Sequence, residues 1–147
     1  MATEIPPASQ FTGLTRKVMD YSEAFEAIVR RSKQGLTDAD WAPLEAMVDL
    51  PAFVRVGVFL TDKVERIDWA TYKGYLTRYG GMTEWDGKLR RITEGPAVVS
   101  QELEERNTRD GITDIANTCM FYTFNEAGLI CALDVYVAHI EKRPATA

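Results

Sequence analysis

The chain predicts an α+β domain with helices on one face of an antiparallel sheet, and three observations carry that prediction. Over the first half, apolar residues recur at three- and four-residue steps, the period of a helix with one buried side. After Gly81 the period changes to two and stays there to Ile140. The breaks in that second half are short turn signals, above all Asp110-Gly111, which join antiparallel neighbours. Helices first and a meander of strands last is the order of an α+β layer.

The first helix runs from Leu14, with Val18, Tyr21, Phe25, Ile28 and Val29 on one side and Glu23, Glu26, Arg30 and Arg31 on the other, and ends near Gly35. A shorter one extends from Trp41 to about Val48, capped by Asp40, with Pro43 in its first turn and Pro51 forcing its end. Phe53 to Leu60 is β-branched and aromatic and reads as a strand. Asp68 then caps a third helix that carries Trp69, Tyr72, Leu76 and Tyr79 on one face and stops at Gly80-Gly81. Strands follow over Leu89 to Thr93, Ala97 to Thr108, Ile112 to Phe124 and Leu129 to Ile140.

A length of 147 residues is that of one domain with one core, expected over 14–141, with 1–13 as a loose arm and 142–147 as a frayed tail. An apolar fraction of 46% excludes a disordered chain, and a net charge of −5 argues against nucleic acid as a partner. The basic run Lys88 to Arg91 is short enough to be a guarded strand edge. No stretch approaches a membrane span and the N-terminus has no secretory pattern, so the expected setting is cytoplasmic, without a membrane partner. Two cysteines, Cys119 and Cys131, with one histidine are too few for a disulfide framework or a structural zinc site, and no metal or cofactor is expected.

The turns set a register. With Asp110-Gly111 as a two-residue turn, Glu102 faces Cys119 and Glu104 faces Asn117. With Phe124 opposite Leu129 across the next turn, Cys119 faces Asp134 and Asn117 faces Tyr136. Glu102, Glu104, Asn117, Cys119, Phe121, Asp134 and Tyr136 then share one face, and Leu103, Met120, Leu133, Val135 and Val137 the other. Two arrangements fit. Either the mixed face looks inward at a polar-lined cavity and the apolar face meets a second copy of the chain, giving a homodimer through the sheet, or the two faces are exchanged.

The element order from Leu14 to Ile140 resembles the nuclear-transport-factor-2-like (NTF2-like) superfamily, a cone of helices packed on a curved antiparallel sheet. The last hairpin carries the nearest likeness, Phe124-Asn-Glu-Ala-Gly128-Leu-Ile130 followed by Asp134-Val-Tyr136. The resemblance implies three N-terminal helices and a pocket for a small, largely apolar molecule. In the limonene-epoxide-hydrolase branch an Asp-Arg-Asp triad activates water; Asp134 matches the first Asp, Glu104 the second, and Glu102 stands where the Arg would be. The SnoaL-like branch also relies on a last-strand acid. The implied catalytic set is therefore Asp134, Glu102 and Glu104, because enclosed carboxyls close together raise one another's pKa and suit proton transfer. Tyr136, Asn117, Phe121, Trp69 and Tyr72 are the expected ligand contacts, and Arg55 supplies a cation reaching Glu102 or Asp134. Three readings follow: an acid–base enzyme, a binding module without turnover, and a dimeric accessory domain.

Overall fold

A computed structural model describes residues 3–145. Helix α1 spans Gly13–Arg31 and runs on into a short 3-10 turn, Ser32–Gln34. Its N-terminal amides find an acceptor from elsewhere in the chain: the Glu94 carboxylate accepts from Thr15 N at 2.6 Å and Thr15 Oγ1 at 2.9 Å. Helix α2, Asp38–Glu45, starts earlier than expected because Thr37 is its cap and Asp40 bonds back to the Thr37 amide at 2.8 Å, a capping box. Helix α3, Trp69–Met82, is capped by Asp68 Oδ1 on Thr71 N at 2.9 Å, as its sequence predicts, and runs through Gly80-Gly81.

The strands are β1 (Val54–Gly57), β2 (Glu65–Ile67), β3 (Glu84–Glu94), β4 (Val98–Arg109), β5 (Ile112–Phe124) and β6 (Ile130–Pro144), in the sheet order β2-β1-β6-β5-β4-β3. Several details depart from expectation; β2 was not anticipated, and β3 begins at Glu84 and not Leu89. The sheet is mixed, because β1 pairs parallel with β6. Only α1 and α2 precede the sheet; α3 follows its first two strands, so the layer is not built from three N-terminal helices.

The Asp110-Gly111 turn has positive φ at both residues, and it sets β4 against β5 as predicted, with Glu102 opposite Cys119 and Glu104 opposite Asn117. Between β5 and β6 the register lies two residues away from the prediction: Cys119 faces Tyr136 and Phe121 faces Asp134. The turn contributes one residue, setting Phe124 opposite Ile130 and not Leu129, and an irregularity at Thr123/Phe124 contributes the other, since Thr123 pairs with Ala132 and leaves Cys131 as an extra residue. A slip of two preserves parity, so every side chain keeps its predicted companions on its face.

The faces themselves are exchanged. Val99, Gln101, Leu103, Tyr122, Leu133 and Val135 are buried under the helices, whereas Phe121 and Tyr136 are exposed. The apolar face is thus covered by the chain's own core, built on Val18, Ile28, Leu44, Phe53, Trp69, Leu76 and Ile130, and is not free for a second copy.

The described part of the arm is docked. Glu4 N donates to Gly87 O at 2.8 Å, Leu89 N donates to Glu4 O at 3.2 Å, and Ala8 is buried. The tail too belongs to the sheet, with Ile112 opposite Pro144. Unpaired edge groups of β3 and of the start of β5 explain both, since each supplies a ladder of free donors and acceptors.

Candidate functional site

Between the concave face of the sheet and α1 and α3 lies a cavity of about 1040 Å³. Strand alternation decides what lines it: odd residues of β4, even residues of β5 and odd residues of β6 as far as His139. Its walls are largely apolar, from Phe25, Phe59, Trp85, Leu103, Met120 and Val135, with Ile5 of the docked arm closing one side. Asp62, Asp110 and Asp114 stand with Arg109, His139 and Lys142 around the mouth, and His139 Nδ1 lies 3.1 Å from an Asp114 oxygen.

The polar groups in the depth of the cavity come from five elements. Tyr21 and Ser22 are set there by α1, Tyr72 by α3, Gln101 by β4, Tyr122 by β5 and Arg55 by β1. The Tyr122 hydroxyl donates to Gln101 Oε1 at 3.2 Å, Gln101 Nε2 donates to Ser22 Oγ at 2.8 Å, and Ser22 Oγ donates to the Val18 carbonyl at 3.0 Å. That relay is internally satisfied. Tyr21 Oη is not: it sits near the Tyr72 hydroxyl without a well-formed hydrogen bond. Burial pushes the phenols of Tyr21, Tyr72 and Tyr122 above their ordinary pKa, with Arg55 pulling each back in part. They are therefore hydrogen-bond donors at neutral pH, not phenolates.

Arg55 is 4% exposed. Its guanidinium carbon lies 4.7 Å from the Phe59 ring centre and 5.3 Å from that of Tyr72, and Nη2 donates to the Val58 carbonyl at 3.1 Å. Nε has no hydrogen-bond partner, and no ion pair among the described residues includes this side chain. Its place is fixed by a close approach of backbones: Gly57, at φ 149°, lies so near β6 that an added Cβ would stand 2.5 Å from Val135 O.

One carboxylate, Glu105, projects from the sheet wall, and the Trp85 indole N–H donates to its Oε2 at 2.5 Å. Beside it the Tyr79 hydroxyl donates to Asn107 Oδ1. Burial first, and then the Glu105 charge, hold the Tyr79 phenol well above its ordinary pKa.

Of the residues expected from the sequence, Arg55 and Tyr72 line this cavity. Trp69 does not; it is buried in the core, edge-on to Phe53, with its indole N–H donating to Glu45 Oε2 at 2.8 Å. Asp134, Glu102, Glu104, Asn117, Phe121 and Tyr136 lie on the outer face of the sheet, because their parity is opposite to that of Leu103, Thr118 and Leu133. There Glu102 receives two hydrogen bonds from Arg91, which hold its carboxyl below the usual range, and Phe121 packs edge-on against Tyr136 at 5.9 Å. Arg55 pairs in register with Leu133 and so points away from Asp134 and Glu102. Glu105, Gln101, Tyr21 and Tyr122 were not anticipated as a group. The alternation rule applied to Leu103 finds the first two, and Tyr21 lies on the predicted apolar stripe of α1.

The same helix-backed curved sheet recurs in solved structures. An NTF2-like protein of unknown function from Cytophaga hutchinsonii shares 13% identity and a TM-score of 0.57, over 87% of this chain and 92% of that one. The chain has the NTF2-like fold. An LEH-like epoxide hydrolase from Mycobacterium tuberculosis superposes with a TM-score of 0.55 at 18% identity, covering 81% of this chain and 83% of the other. A computationally designed 17-OHP binder does so at 0.55 and 16%, covering 82% and 98%. No family model matches the sequence, and no curated protein matches it. Against the cone of this fold, the cavity described above occupies the space between sheet and helices, and no helix of the described residues is long and apolar enough to cross a membrane.

Proposed function

We propose that the NTF2-like cone of this chain binds a small, largely apolar molecule and that Glu105 exchanges a proton with it. The observation that carries the reading is the cavity of about 1040 Å³ itself, apolar on its walls and furnished at depth with convergent donors. Glu105 has one oxygen occupied by Trp85, which fixes the carboxylate and leaves the other oxygen for a ligand. The protonated phenols of Tyr21 and Tyr72 are suited to steady negative charge that develops on a ligand oxygen when a neighbouring carbon loses its proton. The chemistry is therefore proton transfer next to a carbonyl, of the isomerase or cyclase kind, with the carboxylate on the sheet wall in place of the last-strand acid. The designed binder supports the pocket half of the reading, since it uses the same fold to hold a ligand.

Acetylpyrene, a neutral apolar ketone whose fluorescence reports its surroundings, tests both halves. Binding is expected to saturate at one ligand per chain and to weaken about tenfold or more when Ala116→Trp fills the cavity, with the far-ultraviolet circular dichroism unchanged. Deuterium incorporation into its methyl group, followed by mass spectrometry, is expected to accelerate on the protein and to lose roughly tenfold or more of that acceleration in Glu105→Gln. Binding that ignores Ala116→Trp removes the pocket reading. Binding without faster exchange leaves a binding module and removes Glu105 from chemistry.

A further inference from the structure

We infer that the ligand of this cavity carries a carboxylate, or a group of the same shape and charge, which docks on Arg55 with its apolar body along Phe59, Leu103 and Val135. The inference rests on the cavity being a ligand pocket, as proposed above, and goes beyond it by fixing the ligand's charge and orientation.

Three observations converge on Arg55. First, a guanidinium stays protonated in any protein environment, so a side chain only 4% exposed is a permanent charge taken out of water. Second, nothing among the described residues neutralises it by contact: no ion pair there includes it, Nε is without an acceptor, and the Val58 carbonyl takes one of its N–H groups. The rings of Phe59 and Tyr72 attract the cation, and the Tyr72 hydroxyl beside it offers a neutral oxygen but no opposite charge. Third, the group borders the cavity and not the packed core, together with Tyr21, whose hydroxyl is likewise left without a good partner.

A buried arginine without a counter-ion is poor design for stability, because an apolar residue of similar volume in its place removes the desolvation cost. Its presence makes sense when the counter-ion arrives from outside. A carboxylate is the fitting visitor, since its two oxygens match two parallel N–H donors and charge-assisted bonds are roughly twice as strong as neutral ones. The phenol of Tyr21 or Tyr72 can donate to a remaining lone pair. Glu105 stands in the same cavity but belongs to the Trp85 side of it, where its bond to the indole holds it. At the mouth, Arg109, His139 and Lys142 accompany the three acids, so the entrance does not present one sign of charge to an incoming anion.

The test compares pyrenecarboxylate with acetylpyrene, which share a ring system and differ in charge, by calorimetric titration of the full chain. The wild type is expected to bind the carboxylate about tenfold or more tighter than the ketone at neutral pH. Arg55→Met is expected to abolish that preference, and Arg55→Lys to restore part of it. Without ligand, Arg55→Met is expected to melt at or above the wild-type temperature, which a merely structural arginine would not allow. Equal affinity for the two probes in the wild type, or a preference that survives Arg55→Met, overturns the inference while the pocket reading stands. Failure of both probes to bind overturns both together. A fall in the melting temperature of ligand-free Arg55→Met also counts against it, because it would show that the fold itself depends on the charge.

Discussion

Arg55 and Tyr72, singled out in the sequence, do line the cavity, although Arg55 does not reach Glu102 or Asp134 as expected, whereas Glu105 was hidden by its neighbours. Glu102, Glu104 and Glu105 all look alike in sequence, and only the direction in which β4 alternates separates the two that meet solvent from the one that meets the cavity. The outward acids give a direct check. Asp134→Asn is expected to leave acetylpyrene affinity within about twofold, measured by fluorescence titration, because surface changes away from a site rarely reach it; a tenfold loss would put the chemistry back on the outer face. Gly57 is a stricter position. Its φ of 149° and the 2.5 Å separation between an added Cβ and Val135 O leave no room for a side chain. Gly57→Ala is expected to destabilise the protein by about 2 to 4 kcal/mol in urea denaturation, through strain and loss of the β1·β6 ladder.

Among the elements, those with caps and turns of known chemistry were read well. Asp68 starts α3 where its carboxylate can take an orphan amide, and Asp110-Gly111 sets twelve β4·β5 pairs from Arg109↔Ile112 to Val98↔Thr123. The β5·β6 ladder was missed by two residues, one from the turn that sets Phe124 against Ile130 and one from the bulge at Cys131, and an even slip leaves no mark in hydrophobic alternation. The depressed pKa of Asp68, caused first by the Thr71 amide, gives α3 a pH dependence of known sign. The folded carboxylate binds its proton less readily than the unfolded one, so the stabilisation is present above the unfolded pKa and is lost as pH falls below about 4. Asp68→Asn is expected to flatten the fall in urea midpoint over that acid range, and an unchanged slope would count against the cap. The docked arm is the element no periodicity announced, since it is held by backbone bonds to Gly87 and Leu89 that any sequence can make. Deleting residues 1–6 is expected to speed hydrogen exchange at the Leu89 amide and to weaken acetylpyrene binding several-fold through loss of Ile5, with the fold retained.

For the molecule as a whole, the α+β class was plain from the change of period, but which face of the sheet turned inward was not. A pocket brings polar residues to the inner face, here Gln101, Glu105 and Asn107, while the outer face carries Phe121 and Tyr136, so neither face shows the clean contrast that separates core from solvent. The buried phenols of α1, α3 and β5 make overall stability sensitive to alkali. Their pKa is raised chiefly by burial, so above the ordinary phenol value of about 10 the folded state holds protons that the unfolded state releases. Stability is full below that pH and is lost as pH rises through and beyond it. Tyr122→Phe is expected to shallow that loss, read as urea midpoints from about pH 8 to about pH 11, and tyrosinate absorbance from these rings is expected to emerge together with unfolding. The arm that lays Ile5 against the cavity wall has a practical reach beyond stability. A purification handle fused ahead of it would pull on the binding chamber, so such handles belong at the other terminus. By the same token, randomising residues 3–7 offers a way to retune ligand choice while the β4·β5·β6 ladder stays untouched.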